Sequence, residues 1–572
     1  THRSARIASG KSKPSRMRAS RLTLAILAVA FLGFIGGLVM WNRDRAAARA
    51  SVRSVAVMPF RDLSSTTEGR MLADGISEML AARLGGVRDM HIAPPFDGAA
   101  VEESDDVATI AKRKNVHAVL RGSVQRSGAD VRVTYSLVTA DGATLASGSA
   151  TRALTDLFAL EDAVAEELIA RLGREAPLKA RAATPQLGPA DQQKFVEAIG
   201  LLHGVKDEQA VDRAIVTLEG LLRNARESGA VNGQLARALL FKAKLARRPA
   251  LIEQATVYAT RGVALDANDA DSQSTLGMLQ NESGRHDDAA RSFERALAMR
   301  PDKTEALVGL GDAFGGLGRA ADAEAMYRKA VALRPDVTGA ATKFGMFLYA
   351  QGRHKEAADQ FRRVTELAPG FSHGWANLGG TLQALGRFDE AKAALRKSIE
   401  IQPTAAGWSN LGTVQFLSGD FDAARASYEH ATQLAPGDPV MWVNLADAHR
   451  AAKSVDAKAA YERAIAASRD ALTVNPNDAR ARARIALCLA KSDRGAEAQE
   501  EIRRALELDP TNAQILYNAA VIAALRGNSD SAVSWLERAI GAGYPAAEAA
   551  HDPELAPLRA LPSFVNAVKS RA

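Results

Sequence analysis

Seven prolines, Pro301, Pro335, Pro369, Pro403, Pro436, Pro476 and Pro510, follow one another at spacings of 34, 34, 34, 33, 40 and 34 residues. This punctuation constrains the fold more than any other feature of the chain. One apolar pattern stands in front of each proline. Between Pro301 and Pro335 it reads Leu310-Gly311, Phe314, Gly318, Ala323, Tyr327 and Ala330. Leu276-Gly277, Gly284, Ala289, Phe293 and Ala296 repeat it upstream, and Leu378-Gly379, Gly386, Ala391 and Leu395 downstream. Small residues let two antiparallel helices approach, a glycine turns the chain between them, large apolar residues fill the gap, and proline stops the second helix. Eight units are expected to start near 270, 304, 338, 372, 405, 439, 479 and 513, with two worn units before them at 189–226 and 230–267. The 40-residue spacing points to a second helix lengthened by about two turns within residues 461–476. After Pro545, residues 551–572 read as a polar-faced capping helix that ends the stack.

The pattern resembles the tetratricopeptide repeat. The resemblance implies a mainly α fold: an α–α solenoid over 189–547 with a cap at 548–572, whose first helices line a concave binding groove. Trp375, Trp408 and Trp442 occupy the fourth position of their repeats, where a ring packs between helices. Two residues later stand Asn377, Asn410 and Asn444, in WANLG, WSNLG and WVNLA, and Asn518 recurs in the last repeat. In tetratricopeptide superhelices such as that of O-linked N-acetylglucosamine transferase, the matching Asn column bonds the backbone of an extended peptide. An amide offers both a donor and an acceptor, which suits a peptide unit in any sequence context. These four residues are the peptide-binding candidates; the alternative is that Asn is simply frequent at this repeat position.

Residues 54–182 read differently. A short β-rich run, Ser54–Phe60, precedes helical spacing of Met71, Leu72, Ile76, Met79, Leu80 and Leu84. A second run at Met90–Ala93 leads to a helix near Val107–Lys114, then to strands at 118–125, 131–138 and 143–151 separated by turn signals, and to a closing helix at 158–172. Val131, Val133, Tyr135 and Leu137 alternate with Arg132, Thr134 and Ser136, the mark of a sheet with one wet face and one covered by helix. The stretches VAVMPFRDLS at 55–64, LADGISEMLAARL at 72–84 and HAVLRGSVQRSGADVRVTYSLVTADGATLASGSATRALTDLFALEDAVAEEL at 117–168 resemble the TolB N-terminal-like domain of bacterial envelope proteins. Ala146 stands where relatives often carry Trp. The resemblance implies a small α/β interaction or sensing module without chemistry of its own. Arg61 and Asp62 read as a solvated strand end.

Charge locates the membrane. The net charge of +7 arises in residues 1–53, where eleven Lys or Arg stand against Asp44 alone, so the remainder is slightly acidic and nucleic-acid binding is not expected. Residues 22–41, LTLAILAVAFLGFIGGLVMW, run twenty residues without a charge, enough at ~1.5 Å per residue to cross a bilayer core. A single transmembrane helix is expected here, joined to the α/β domain by a linker at 42–53. Seven basic residues precede it and four follow, a bias that places a basic tail, 1–21, in the cytoplasm. The body then lies in the periplasm or exterior of a bacterial inner membrane. Gly33 and Gly37 have the small-xxx-small spacing that packs two such helices as a dimer.

No catalytic constellation stands out. Gly10-Lys11-Ser12 lacks the first glycine of a phosphate loop, GLGDAFGGLG at 309–318 lies inside a repeat helix and its turn, and the His residues are scattered without metal-ligand spacing. Cys488, the lone cysteine, reads as a small core residue. No enzyme and no cofactor are implied for these residues; the expected partners are proteins or extended peptides. The function expected is a membrane-anchored scaffold. The alternative rests on the series of basic linker, span, TolB-like domain and repeats, which resembles the region after the catalytic domain of bacterial serine/threonine kinases, adenylate cyclases and ToxR-like activators. The chain begins at Thr1 and not at Met, which would suit the tail of such a protein.

Overall fold

A computed structural model describes residues 52–569 apart from 65, 88–89, 96–104, 175–186, 203–206 and 225–226. The expected span at 22–41, with Gly33 and Gly37, lies outside the described residues. Among the described residues no helix is long and apolar enough to cross a membrane.

The chain opens on a mixed sheet of β1 (Ser54–Val57), β2 (Arg61–Asp62), β3 (His91–Ala93), β4 (Ala118–Ser127), β5 (Asp130–Thr139) and β6 (Thr144–Ala153), in the order β3-β1-β4-β5-β6. β1 pairs parallel with β3 and β4, β2 pairs with β4, and β4, β5 and β6 form an antiparallel meander. The alternation along β5 is realised: Val131, Val133, Tyr135 and Leu137 are buried and Arg132 is exposed. Helices Thr67–Leu84 and Leu157–Arg171 cover that face. The other face is not wholly wet as expected, because Val107–Lys114 covers its β1/β3/β4 corner, packing Ile110 and Ala111 on Ala56, Ala93 and Val119.

Beyond it the chain is an array of antiparallel helix pairs. Two pairs, Pro189–Leu202 with Glu208–Asn224 and Gly229–Leu245 with Leu251–Leu265, precede eight regular ones. The first helices of the eight begin at Ala270, Thr304, Thr338, Ser372, Ala405, Pro439, Ala479 and Ala513, the unit starts read from the sequence. Local chemistry explains the register. Asp269, Asp438, Asp478 and Asn512 accept from backbone N–H groups of the first turns they precede. In the fourth of the ten turns between first and second helices, Gly318 at φ +72° reverses the chain, and where glycine is missing Lys453 and Asp493 take the same left-handed conformation. Inside the first five of the eight regular pairs a glycine admits the large side chain opposite: a Cβ on Gly311 would sit 2.9 Å from the Tyr327 ring. GLGDAFGGLG belongs to helix Thr304–Gly316 and its turn.

Two expectations are corrected. The 40-residue unit gains one helical turn, not two: Ala457–Val474 has 18 residues against 14 in Ala320–Leu333, and the turn before it, 452–456, is two residues longer than 317–319. The end of the chain is not one helix. Pro553 and Pro562 break it into Ala546–His551, a 3-10 turn at Pro553–Leu558 that contains Pro557, and Pro562–Lys569. Leu555, Leu558 and Phe564 close the core of the last repeat.

Sheet and array share one continuous core. Helix Thr67–Leu84 crosses Pro189–Leu202 with backbones in near contact: a Cβ on Gly75 would lie 2.1 Å from the Val196 carbonyl oxygen, and one on Gly200 2.1 Å from that of Met71. Only glycine permits this approach, which locks the α/β unit onto the first helix of the array.

Candidate functional site

The first helices carry the candidate asparagines one per repeat, and the structure divides the four into two kinds. Asn377 is half-buried and Asn410 exposed, and neither amide makes a side-chain hydrogen bond within the described fold. Asn444 donates to the Ser409 hydroxyl at 2.9 Å. Asn518 is buried, donates to the Ala483 carbonyl at 3.5 Å and accepts from Gln514 at 3.0 Å. Both of these reach 35 residues back, to the preceding first helix, so they stitch repeats together. The tryptophans pack as expected against the core while their edges stay polar: Trp375 and Trp442 donate to the Pro369 and Pro436 carbonyls at 2.9 and 2.8 Å, and Trp408 stacks on His430 at 4.4 Å. Cys488 is buried and its thiol is pushed up to about 12, chiefly by burial, so it is unreactive as a nucleophile.

Sequence reasoning missed what fills the far half of the groove. Residues 544–554 fold back across the first helices of several repeats. Gln383 of the fourth repeat donates to Glu548 at 2.9 Å, and the adjacent Phe388 meets the His551 ring edge-on at 4.8 Å. Arg450 of the sixth repeat pairs with Glu554, which also lies 3.5 Å from Lys491 of the seventh. Tyr517 of the eighth donates to Asp552 and stacks on Tyr544 at 3.8 Å. Lys491, buried, is held mainly by Asp447 at 2.6 Å. Burial pushes Glu548 up to about 7 and raises Asp552 as well. Burial acts upward on Glu554 too, but the Lys491 and Arg450 charges outweigh it and hold this carboxyl below its ordinary range. The one signal in the sequence was the run of three carboxylates at spacings of four and two, which has no periodic partner.

The opposite end of the array meets the α/β unit along the loops that precede first helices. Lys114 reaches Asp336 at 3.6 Å, and Arg334 grips the same carboxylate at 2.7 Å, with all three side chains essentially inaccessible, at 1% exposure or less. His91 lies 2.6 Å from Asp302, and Lys303 bridges Asp271 at 2.5 Å and Glu305 at 3.3 Å. A cavity of about 780 Å³ opens beside this network, lined by Glu78, Arg237, Phe241, Arg300 and Val308 among others. Glu78 is pushed up to about 7 by burial, against the pull of Arg237. Asp62, at the strand end, accepts from the Ser64 and Thr66 backbone N–H groups and so shapes its own loop.

Comparison with known proteins agrees with the geometry of the array. Family profiles described as tetratricopeptide repeat match residues 275–338, 312–371, 410–470, 456–513 and 490–548, and a second profile of the same description matches 372–437. Residues 275–548 are therefore tetratricopeptide repeats. Among solved structures, the chain is similar to the Cut9–Hcn1 hetero-tetramer of the APC/C (20% identity, 61% of this chain and 63% of that one, TM-score 0.39). It is also similar to YrrB, described as a tetratricopeptide protein with an unusual peptide-binding site (25%, 32% and 92%, TM-score 0.25), and to pilF of Pseudomonas aeruginosa (20%, 36% and 92%, TM-score 0.31). A curated relative, putative adenylate cyclase 3 of Rhizobium meliloti strain 1021, is 29% identical over 120 residues. The chain spans about a fifth of that relative's length.

Proposed function

We propose that this chain is a membrane-anchored scaffold whose solenoid groove binds an extended segment of a partner protein. Tetratricopeptide arrays generally act as non-enzymatic interaction scaffolds, and the reading is carried by one observation: Asn377 and Asn410, 33 residues apart on successive first helices, hold amides that make no side-chain hydrogen bond among the described residues. Each amide would donate to a carbonyl and accept from an N–H of the bound chain, at a net ~0.5–1.5 kcal/mol per hydrogen bond. Asn444 and Asn518 belong to the same column but would act chiefly by stacking the repeats. The joint change Asn377→Ala and Asn410→Ala is expected to weaken binding of a partner recovered by pull-down by about 1–3 kcal/mol, roughly 5- to 150-fold, with the fold intact by circular dichroism. Full affinity in the folded double variant would refute the reading.

The charge-free residues 22–41 would anchor the scaffold as a single span, Gly33 and Gly37 would pair two spans, and the α/β unit, TolB-like in its motifs, would stand with the repeats outside the cytoplasmic membrane. Protease added to intact spheroplasts should then digest the body, whereas complete protection would reverse the orientation. A second reading, the sensor or interaction tail of a larger bacterial signalling protein such as a serine/threonine kinase, adenylate cyclase or membrane transcription activator, is favoured by the 120-residue similarity to a cyclase-named protein. The reading frame upstream of Thr1 tests it directly: it encodes such a domain or it does not.

A further inference from the structure

We propose that the concave face of the fourth to eighth repeats is a receptor for an acidic segment, and that residues 544–554 are its built-in occupant, which a partner must displace. The inference rests on the reading of the array as a peptide-binding scaffold and adds to it the chemistry of the partner and the control of access.

Contacts that serve a cap differ from those that serve an occupant. Closing a solenoid requires only that its last repeat be covered, and Ala549, Leu555, Leu558 and Phe564 do that, with Tyr544 and Ala546 packed against them. Nothing in that task calls for Glu548 to meet Gln383, 165 residues away, or for Glu554 to meet Arg450, 104 residues away. The groove groups that receive residues 544–554 come from four different repeats: Gln383, Arg450, Lys491 and Tyr517. Each offers a donor, and the segment answers with Glu548, Asp552 and Glu554. The complementarity is therefore between a donor-lined groove and a short run of carboxylates, the arrangement expected for recognition of a peptide by charge and register.

The attachment is uneven: Gln383, Lys491 and Tyr517 are buried, whereas Arg450 remains about a third exposed, so its pair with Glu554 is where a competing carboxylate would first enter. Gln383 and Arg450 lie eleven residues into their first helices, six residues beyond the asparagine position, or ~9 Å along the helix axis. The segment thus holds one lane of the groove and leaves Asn410 exposed in the other. A partner chain would meet the asparagines first and complete its docking only where its own carboxylates replace Glu548, Asp552 and Glu554.

The test uses the full chain in detergent and a fluorescein-labelled peptide copying residues 544–554 as the probe. The variant Glu554→Gln, in which the tethered copy loses the carboxylate held by Arg450 and Lys491, should bind the probe at least tenfold more tightly than the parent. A probe carrying Gln in place of its own copy of Glu554 should bind that variant at least tenfold less tightly than the acidic probe. In the parent, a saturating acidic probe should speed hydrogen exchange in residues 546–554 and leave 555–569 protected. Equal probe affinity for parent and variant, equal affinity for the two probes, or unchanged exchange at saturation would each overturn the inference. If any of these occurs while Asn377→Ala with Asn410→Ala still weakens partner binding, self-occupancy alone has failed and the scaffold reading stands.

Discussion

The two ends of the array are both covered by the chain's own residues, yet by different physics. At the amino-terminal end, the α/β unit is joined by two crossing helices at backbone contact and by Lys114, Asp336 and Arg334, an ionic cluster sealed from water. At the carboxy-terminal end, Glu548, Asp552 and Glu554 meet buried Gln383, Tyr517 and Lys491 together with Arg450, which alone of the four stays about a third exposed, and the apolar anchoring is shared by Ala549, Leu555, Leu558 and Phe564. Removing one partner of a buried ion pair is costly because the remaining charge has no water to turn to, whereas a half-exposed pair loses little when water replaces it. The first contact makes a permanent structural unit. The second makes an attachment that competes with other ligands.

The sharpest way to break this contrast is Asp336→Ala, which strips two buried cations of their shared acceptor. It should cost about 3–5 kcal/mol, seen as a lower unfolding midpoint, with exchange rising in both Val107–Lys114 and the third repeat. A midpoint within measurement error of the parent would mean the seam is as wet as the tail. Next in size, Gly200→Val pushes a side chain into the Met71 carbonyl and should destabilise by about 1–3 kcal/mol, loosening Thr67–Leu84 from Pro189–Leu202 while leaving the middle repeats protected.

The smallest effect concerns pH and belongs to the tail. Glu548 sits near 7 when docked against an ordinary 4.5, and Asp552 is shifted the same way, so docking favours their protonated forms. Their contribution is complete below about 4.5 and is lost as pH rises through about 7, by at most about tenfold in the opening equilibrium per pH unit per proton. Glu554, held low, opposes this only below its own ordinary range. Hydrogen exchange in residues 546–554, corrected for its intrinsic rate, should therefore be slower at pH 5 than at pH 7.5.

Much of the array was legible because its causes are local. The glycine that admits Tyr327, the capping aspartates at 269, 438 and 478, and the prolines that end each unit act within one or two turns of chain, so the sequence marks each helix where it stands. The lengthened repeat was misjudged because periodicity counts residues without saying whether they enter a helix or the turn before it. The asparagine column was legible as a pattern. That Asn444 and Asn518 stitch repeats while Asn377 and Asn410 stay uncommitted depends on whether an acceptor in the preceding helix comes within reach, which the pattern cannot express.

By itself, then, the amino-acid sequence determined the helix pairs, their register and the antiparallel meander of the α/β unit, since all of these follow from neighbours a few to some tens of residues apart. Only the tertiary structure decided that Gly75 and Gly200 are a contact, that Lys114 finds Asp336, and that the acidic tail reaches Gln383 and Arg450. The last two meetings depend on the curvature of the stack, the sum of small rotations from one repeat to the next. A rotation of that kind is set by the packing of whole interfaces and leaves no mark on any single residue.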